Sequence, residues 1–135
     1  MRRALFSILC VIPGLLFGQD LFDDFGAKTK VNLLVEPATA KPGDTIDVAL
    51  HLKMADGWHT YWRNPGENGT PTTIKWTLPK GITAGEIQWP VPEKVEWLEM
   101  FTYAYHGEVL LIVPLTLVAD IAPGEHTIKA NVDWL

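Results

Sequence analysis

The sequence predicts an all-β sandwich built from about seven or eight short antiparallel strands. Three observations carry this expectation. Apolar and polar residues alternate with period two, most cleanly where Ile46, Val48, Leu50 and Leu52 are interleaved with Asp47, Ala49, His51 and Lys53. Ten Pro and eleven Gly are spread along the chain at turn-like positions, without a repeating period. No segment carries a convincing helical period. With 135 residues, 47% of them hydrophobic and 20% charged, the chain suits one compact domain and not two.

The first segment reads as a targeting signal. Arg2 and Arg3 precede an apolar stretch over 4–17, interrupted by Ser7, Pro13 and Gly14, and Gly18 offers a small residue before Gln19. The stretch is shorter than the roughly 20 apolar residues of a spanning helix, and Pro13-Gly14 would break it. A secretory signal peptide over 1–18 is therefore expected. Cys10, the single cysteine of the chain, lies inside that stretch. Leu9 precedes it where a lipoprotein signal needs a small residue, so cleavage rather than lipidation is expected to dispose of it. What remains would have to fold on its own core without a disulfide. It would carry nine basic against sixteen acidic side chains, a net charge of −7. That balance, with no Lys/Arg cluster, argues against a nucleic-acid partner.

Residues 19–29 read as an N-terminal arm, and the domain proper as 30–135. Val31, Leu33 and Val35 alternate as a strand closed by Pro37, and Lys41-Pro42-Gly43-Asp44 is a strong turn. The strand 46–52 follows. Ala55-Asp56-Gly57 then leads into the run Gly57-Trp58-His59-Thr60-Tyr61-Trp62-Arg63-Asn64-Pro65-Gly66, whose amphipathic aromatics and closing Asn-Pro-Gly indicate a strand entering a structured loop. Short strands are expected at 73–77, closed by Leu78-Pro79-Lys80-Gly81, and around Ile87 and Trp89, closed by Pro90-Val91-Pro92. The apolar run 108–118 contains Pro114, which lacks an amide donor, so an edge or a bulge is expected there. His126, Ile128, Ala130, Val132 and Trp134 share one face of a last strand. A Greek-key, immunoglobulin-like order suits these elements, and periodicity leaves a small barrel open as well. The chain stops at Asp133-Trp134-Leu135 within an alternating strand, which reads as a fragment of a longer protein.

Several residue groups carry weaker signals. His51 and Lys53 sit on the polar face of a strand and read as solvated. His59, His106, Met54 and Met100 offer imidazole and thioether groups that suit copper, but their spacing has no ligand logic, and neither a metal nor a cofactor is expected. Trp58, Tyr61, Trp62, Trp76, Trp89 and Trp97 could form a sugar-binding platform, or simply pack. Arg63 could stack on Trp62 or pair with Glu67. Asn68-Gly69-Thr70 fits a glycosylation sequon and also a turn. Glu93, Glu96 and Glu99, after Pro92, read as a solvated charge run in a loop.

Five segments, in order, resemble the N-terminal periplasmic domain of the DsbD and ScsB type thiol:disulfide interchange proteins. They are the run 57–66 quoted above, Trp76-Thr77-Leu78-Pro79-Lys80-Gly81, Ile87-Gln88-Trp89-Pro90-Val91-Pro92, Thr102-Tyr103-Ala104-Tyr105-His106-Gly107-Glu108-Val109-Leu110-Leu111, and Val132-Asp133-Trp134-Leu135. The resemblance implies an immunoglobulin-like sandwich in the periplasm. It implies a relay of electrons from a membrane-embedded domain of the same polypeptide to thioredoxin-like or disulfide isomerase proteins. The family's cysteine pair follows the segment matching 132–135, so the chain as it stands has no catalytic residue and is expected to be redox-inert. The stretch 101–107 matches where the family places a cap loop over that pair. Phe101, Tyr103 and Tyr105 are the lid candidates, with packing on one sheet face as their other reading. The alternative function is a non-catalytic exported β-sandwich that binds a protein or carbohydrate partner.

Overall fold

The computed structural model describes residues 28–37 and 39–135, together with the backbone of 2–10. Among the described residues there are ten strands and no helix: β1 (Arg2–Cys10), β2 (Thr29–Glu36), β3 (Thr45–Met54), β4 (His59–Gly66), β5 (Thr73–Thr77), β6 (Ile82–Ala84), β7 (Glu93–Trp97), β8 (Met100–His106), β9 (Glu108–Leu117) and β10 (His126–Trp134). They form a four-stranded sheet in the order β2-β3-β9-β6 and two three-stranded sheets, β1-β10-β5 and β4-β8-β7.

The sandwich is made by the first two. Val31, Leu50, Leu52, Val109 and Leu111 from one sheet pack on Ala130, Val132 and Trp134 from the other. A second cluster joins Ile46, Val48, Val113 and Leu115 to Ile128, with Ile82 and Ile121. Leu50, Leu52, Leu111 and Leu115 are wholly buried, and truncating any one of them to Ala costs about 2–5 kcal/mol through lost transfer energy and a cavity. The alternation seen in the sequence is thus the two-faced burial of β3, β9 and β10.

The turns fall where Pro and Gly place them. Asp44 N–H donates to Lys41 O over 3.0 Å, and Gly43 takes φ 87°, the positive φ that position i+2 of a type II turn requires. Pro79 O likewise accepts Ile82 N–H at 3.2 Å, with Gly81 at φ 93°.

Four expectations change. There are ten strands, not seven or eight: β6 is three residues long, too short to show a period, and β7 holds the Glu93–Trp97 stretch expected as loop. Its side chains are mostly exposed, so its pairing is backbone-driven and leaves no apolar alternation. Ile87 and Trp89 do not form a strand. Gln88 makes only a single bridge to Ile112 before Pro90 turns the chain away. Pro114 is not on an edge strand, since β9 lies between β3 and β6. It sits where β6 gives out, and its carbonyl accepts Gly85 N–H at 2.8 Å. The signal-peptide and arm readings fall mainly on residues outside those described. Within 1–18, the backbone of Arg2–Cys10 runs antiparallel along β10, Arg2 opposite Trp134 and Cys10 opposite His126.

Candidate functional site

The third sheet, β4-β8-β7, is a ribbon whose middle strand carries all three lid candidates. The segment expected as a cap loop is strand β8. Side chains alternate across it, so Phe101, Tyr103 and Tyr105 share one face. Their burial is graded along the strand. Tyr105 is 6% exposed and belongs to the core cluster that contains Trp134. Tyr103 and Phe101 are half-buried.

Tyr105 is held at both ends. Its ring is buried, and its hydroxyl donates to Pro90 O at 2.7 Å. Burial pushes its pKa up to about 12, and the nearby Arg63 charge opposes that rise.

Opposite Tyr103, β4 departs from regular pairing. Tyr61 pairs with Ala104 and Gly66 with Thr102, so four residues of β4, Trp62 to Pro65, face one residue of β8. Pro65 has no amide to give the ladder, which suits it to this bulge. The bulge brings Trp62 edge-on to Tyr103, with ring centroids 5.7 Å apart. The Arg63 guanidinium lies 5.1 Å from the Trp62 ring centroid. Arg63 therefore stacks, while Glu67 takes a different partner: its carboxylate accepts Phe101 N–H at 2.7 Å, and its own N–H donates to Phe101 O at 3.1 Å. Gly66 makes this clamp possible. Its φ is 91°, and a Cβ there would lie 2.5 Å from Phe101 O. On the same face, from β7, Lys94 Nζ sits 3.9 Å from the Phe101 ring centroid.

The other face of the ribbon holds a polar cluster that the sequence did not announce. His59 and His106 are directly opposite each other on β4 and β8, with ring centroids 5.4 Å apart. His59 Nε2 and the Tyr61 hydroxyl are 3.0 Å apart. His106 Nδ1 lies 3.0 Å from a Glu93 carboxylate oxygen. Burial, and then the charge of His106, lower the His59 pKa. Beyond them a groove of about 790 Å³ is lined by Leu34, Val91, Leu110 and Tyr105, with His51 paired to Glu108 at 2.7 Å on its far side. His51 is thus hydrogen-bonded to Glu108 and only partly exposed.

The structure brings together His59 and His106 but not the two thioethers: Met100 is at the opposite end of β8 from His106, and Met54 is buried beside Thr60. Among the described residues, no three His, Cys, Asp or Glu side chains are grouped to hold a metal. The six residues of the suggested sugar platform are scattered. Trp62, Trp76 and Trp89 pack on the core, Tyr61 covers Gly69, and Trp58 and Trp97 are exposed at separate turns. Asn68 Oδ1 accepts Gly69 N–H, a turn. Trp62 Nε1 is buried and has no hydrogen-bond partner among the described residues.

Residues 30–135 match the family described as the N-terminal part of the thiol:disulfide interchange protein DsbD. Among solved structures, the N-terminal periplasmic domain of ScsB from Proteus mirabilis is similar, with 22% identity and a TM-score of 0.58. The likeness covers 84% of this chain and 43% of that one, so the chain spans less than half the length of the structure it matches. At that identity the likeness speaks for the fold. No curated protein matches the chain.

Proposed function

Because the chain belongs to the family of the DsbD N-terminal domain, we propose that it is the periplasmic delivery module of a longer thiol:disulfide interchange protein. In this reading residues 1–18 direct export, a membrane-embedded domain of the same polypeptide supplies electrons, and a cysteine pair beyond Leu135 hands them on. The recipients are oxidised thioredoxin-like or disulfide isomerase proteins.

The observation that supports the reading is the gathering of Tyr105, Trp62 and Trp134 in one cluster. The chain leaves β10 at Trp134, so residues just past Leu135 would emerge beside the aromatic face of the ribbon. The buried Trp62 indole N–H costs roughly 1–3 kcal/mol while unpaired, and an acceptor arriving at this pole would relieve that cost.

The chemistry is thiol–disulfide exchange. A thiolate of the pair attacks one sulfur of the recipient's disulfide. A mixed disulfide forms and the recipient's other sulfur leaves as a thiolate. The second cysteine then attacks the mixed disulfide, so the recipient gains two electrons and two protons and the module becomes the disulfide. An exposed dithiol would lose its electrons to any small disulfide, so a cover has a purpose. Phe101 and Tyr103 are that cover, and Tyr105 anchors the strand that carries them.

The test uses the protein extended past Leu135. Reduced, it should be oxidised slowly by a small-molecule disulfide and rapidly by a protein disulfide. Phe101→Ala and Tyr103→Ala should raise the small-molecule rate about tenfold while sparing the protein reaction, on the order of one lost packing contact. Equal small-molecule rates in variant and parent would remove the cover from the account.

A further inference from the structure

The outer face of the ribbon contains a device that the relay reading does not use. His59 and His106 face each other across the β4–β8 junction, and they differ in what meets a proton. A proton on His106 is countered by the Glu93 carboxylate from β7, 3.0 Å away. His59 has the Tyr61 hydroxyl at 3.0 Å, which can accept a hydrogen bond but carries no charge. The next titratable groups around the adjoining groove are His51 from β3 and Glu108 from β9, and they are hydrogen-bonded to each other at 2.7 Å.

We propose that the His59–His106 pair is an acid-sensitive release: at neutral pH the two uncharged rings leave the β4–β8 pairing undisturbed, and protonation of His59 opposite His106 loosens the ribbon that carries Phe101 and Tyr103. Like charges directly opposite each other in an antiparallel pair repel. Pairing here is already interrupted by the bulge over Trp62 to Pro65, so few ladder bonds resist opening. In the doubly protonated ring Nε2 can only donate, so the Tyr61 hydroxyl must then be the acceptor.

The direction follows from linkage. Burial and His106 lower the His59 pKa in the closed ribbon, whereas in the opened ribbon it returns toward its ordinary value of about 6.5. The open form therefore binds the proton more tightly. Closure is fully favoured above about pH 6.5 and loses ground as pH falls through the lowered value.

The release is a property of the ribbon alone, while its consequence for thiol access rests on the proposed relay. Amide hydrogen exchange, corrected for intrinsic rates, should show opening of 59–66 and 100–106 rising about two- to fivefold between neutral and mildly acidic pH. The β3–β9 amides should not follow. His59→Gln should flatten the response while leaving the neutral-pH protection in place. His106→Gln should weaken it. Histidine ring-proton NMR on the unaltered protein gives a second reading, in which one histidine titrates below the ordinary range. A ribbon whose protection is independent of pH, or whose acid response survives in His59→Gln, would overturn the release. In the extended protein, acid loosening without faster thiol oxidation by a small disulfide, after correction for the smaller thiolate fraction at low pH, would support the release and contradict the cover.

Discussion

At the scale of single residues, the site is set by close contacts that admit few substitutes. Gly66 shows this best. Two constraints meet there, a positive φ of 91° and a Phe101 carbonyl 2.5 Å from any added Cβ. Gly66→Ala should destabilise the domain by about 2–3 kcal/mol in denaturant unfolding. Gly43 has a similar φ, but nothing lies within 4 Å of an added Cβ, so Gly43→Ala should cost only about 1 kcal/mol. Equal costs would mean that backbone conformation, not the Phe101 approach, governs position 66. Tyr105 makes a second case. Its neutral form is favoured by burial, so its contribution to stability is complete below its ordinary pKa of about 10 and is lost as pH rises through about 12. Ultraviolet titration should show a late tyrosinate transition that vanishes in Tyr105→Phe. That variant also strips Pro90 O of its donor and should cost about 1 kcal/mol. A transition unchanged by the substitution would mean that the hydroxyl is not held as described.

At the scale of elements, what could be read from sequence depended on whether an element has a buried face. β3 and β10 bury every second side chain, and their alternation is plain in Ile46, Val48, Leu50 and Leu52 and in Ile128, Ala130, Val132 and Trp134. β7 was hidden because Glu93, Lys94 and Glu96 are exposed. Its pairing to β8 depends on the two-residue turn at Leu98 and Glu99, whose φ values are 50° and 64°. Both are positive, the type I′ geometry that Asn-Gly adopts readily and Leu-Glu does not. No turn signal therefore marks this hairpin in the sequence. Replacing Leu98-Glu99 with Asn-Gly should stabilise the protein by roughly 1 kcal/mol, read as a higher Tm. A lower Tm would show that Leu98, exposed as it is, contributes more than its backbone costs. The His59–His106 pairing and the Glu67 clamp were equally hidden. Both depend on register across the bulge, and register is not written in the spacing of either strand.

At the scale of the whole molecule, two sheets close a core and a third sheet caps one end of it. The sandwich follows from composition and alternation. The location of the cap follows from Tyr105 and Trp62 joining the same cluster as Trp134 at the end of β10. Among the described residues no helix is long and apolar enough to cross a membrane. The family match over 30–135 and the fold agree with the sequence motifs on what kind of domain this is. The most direct test of its proposed work is to extend the protein past Leu135, reduce it, mix it with an oxidised thioredoxin-like periplasmic protein, and trap the products with acid and a thiol alkylator. The account predicts a mixed disulfide between the recipient and a cysteine lying shortly after Leu135, followed by a recipient with two free thiols. Recovery of the recipient still fully oxidised, with no mixed species, would contradict it.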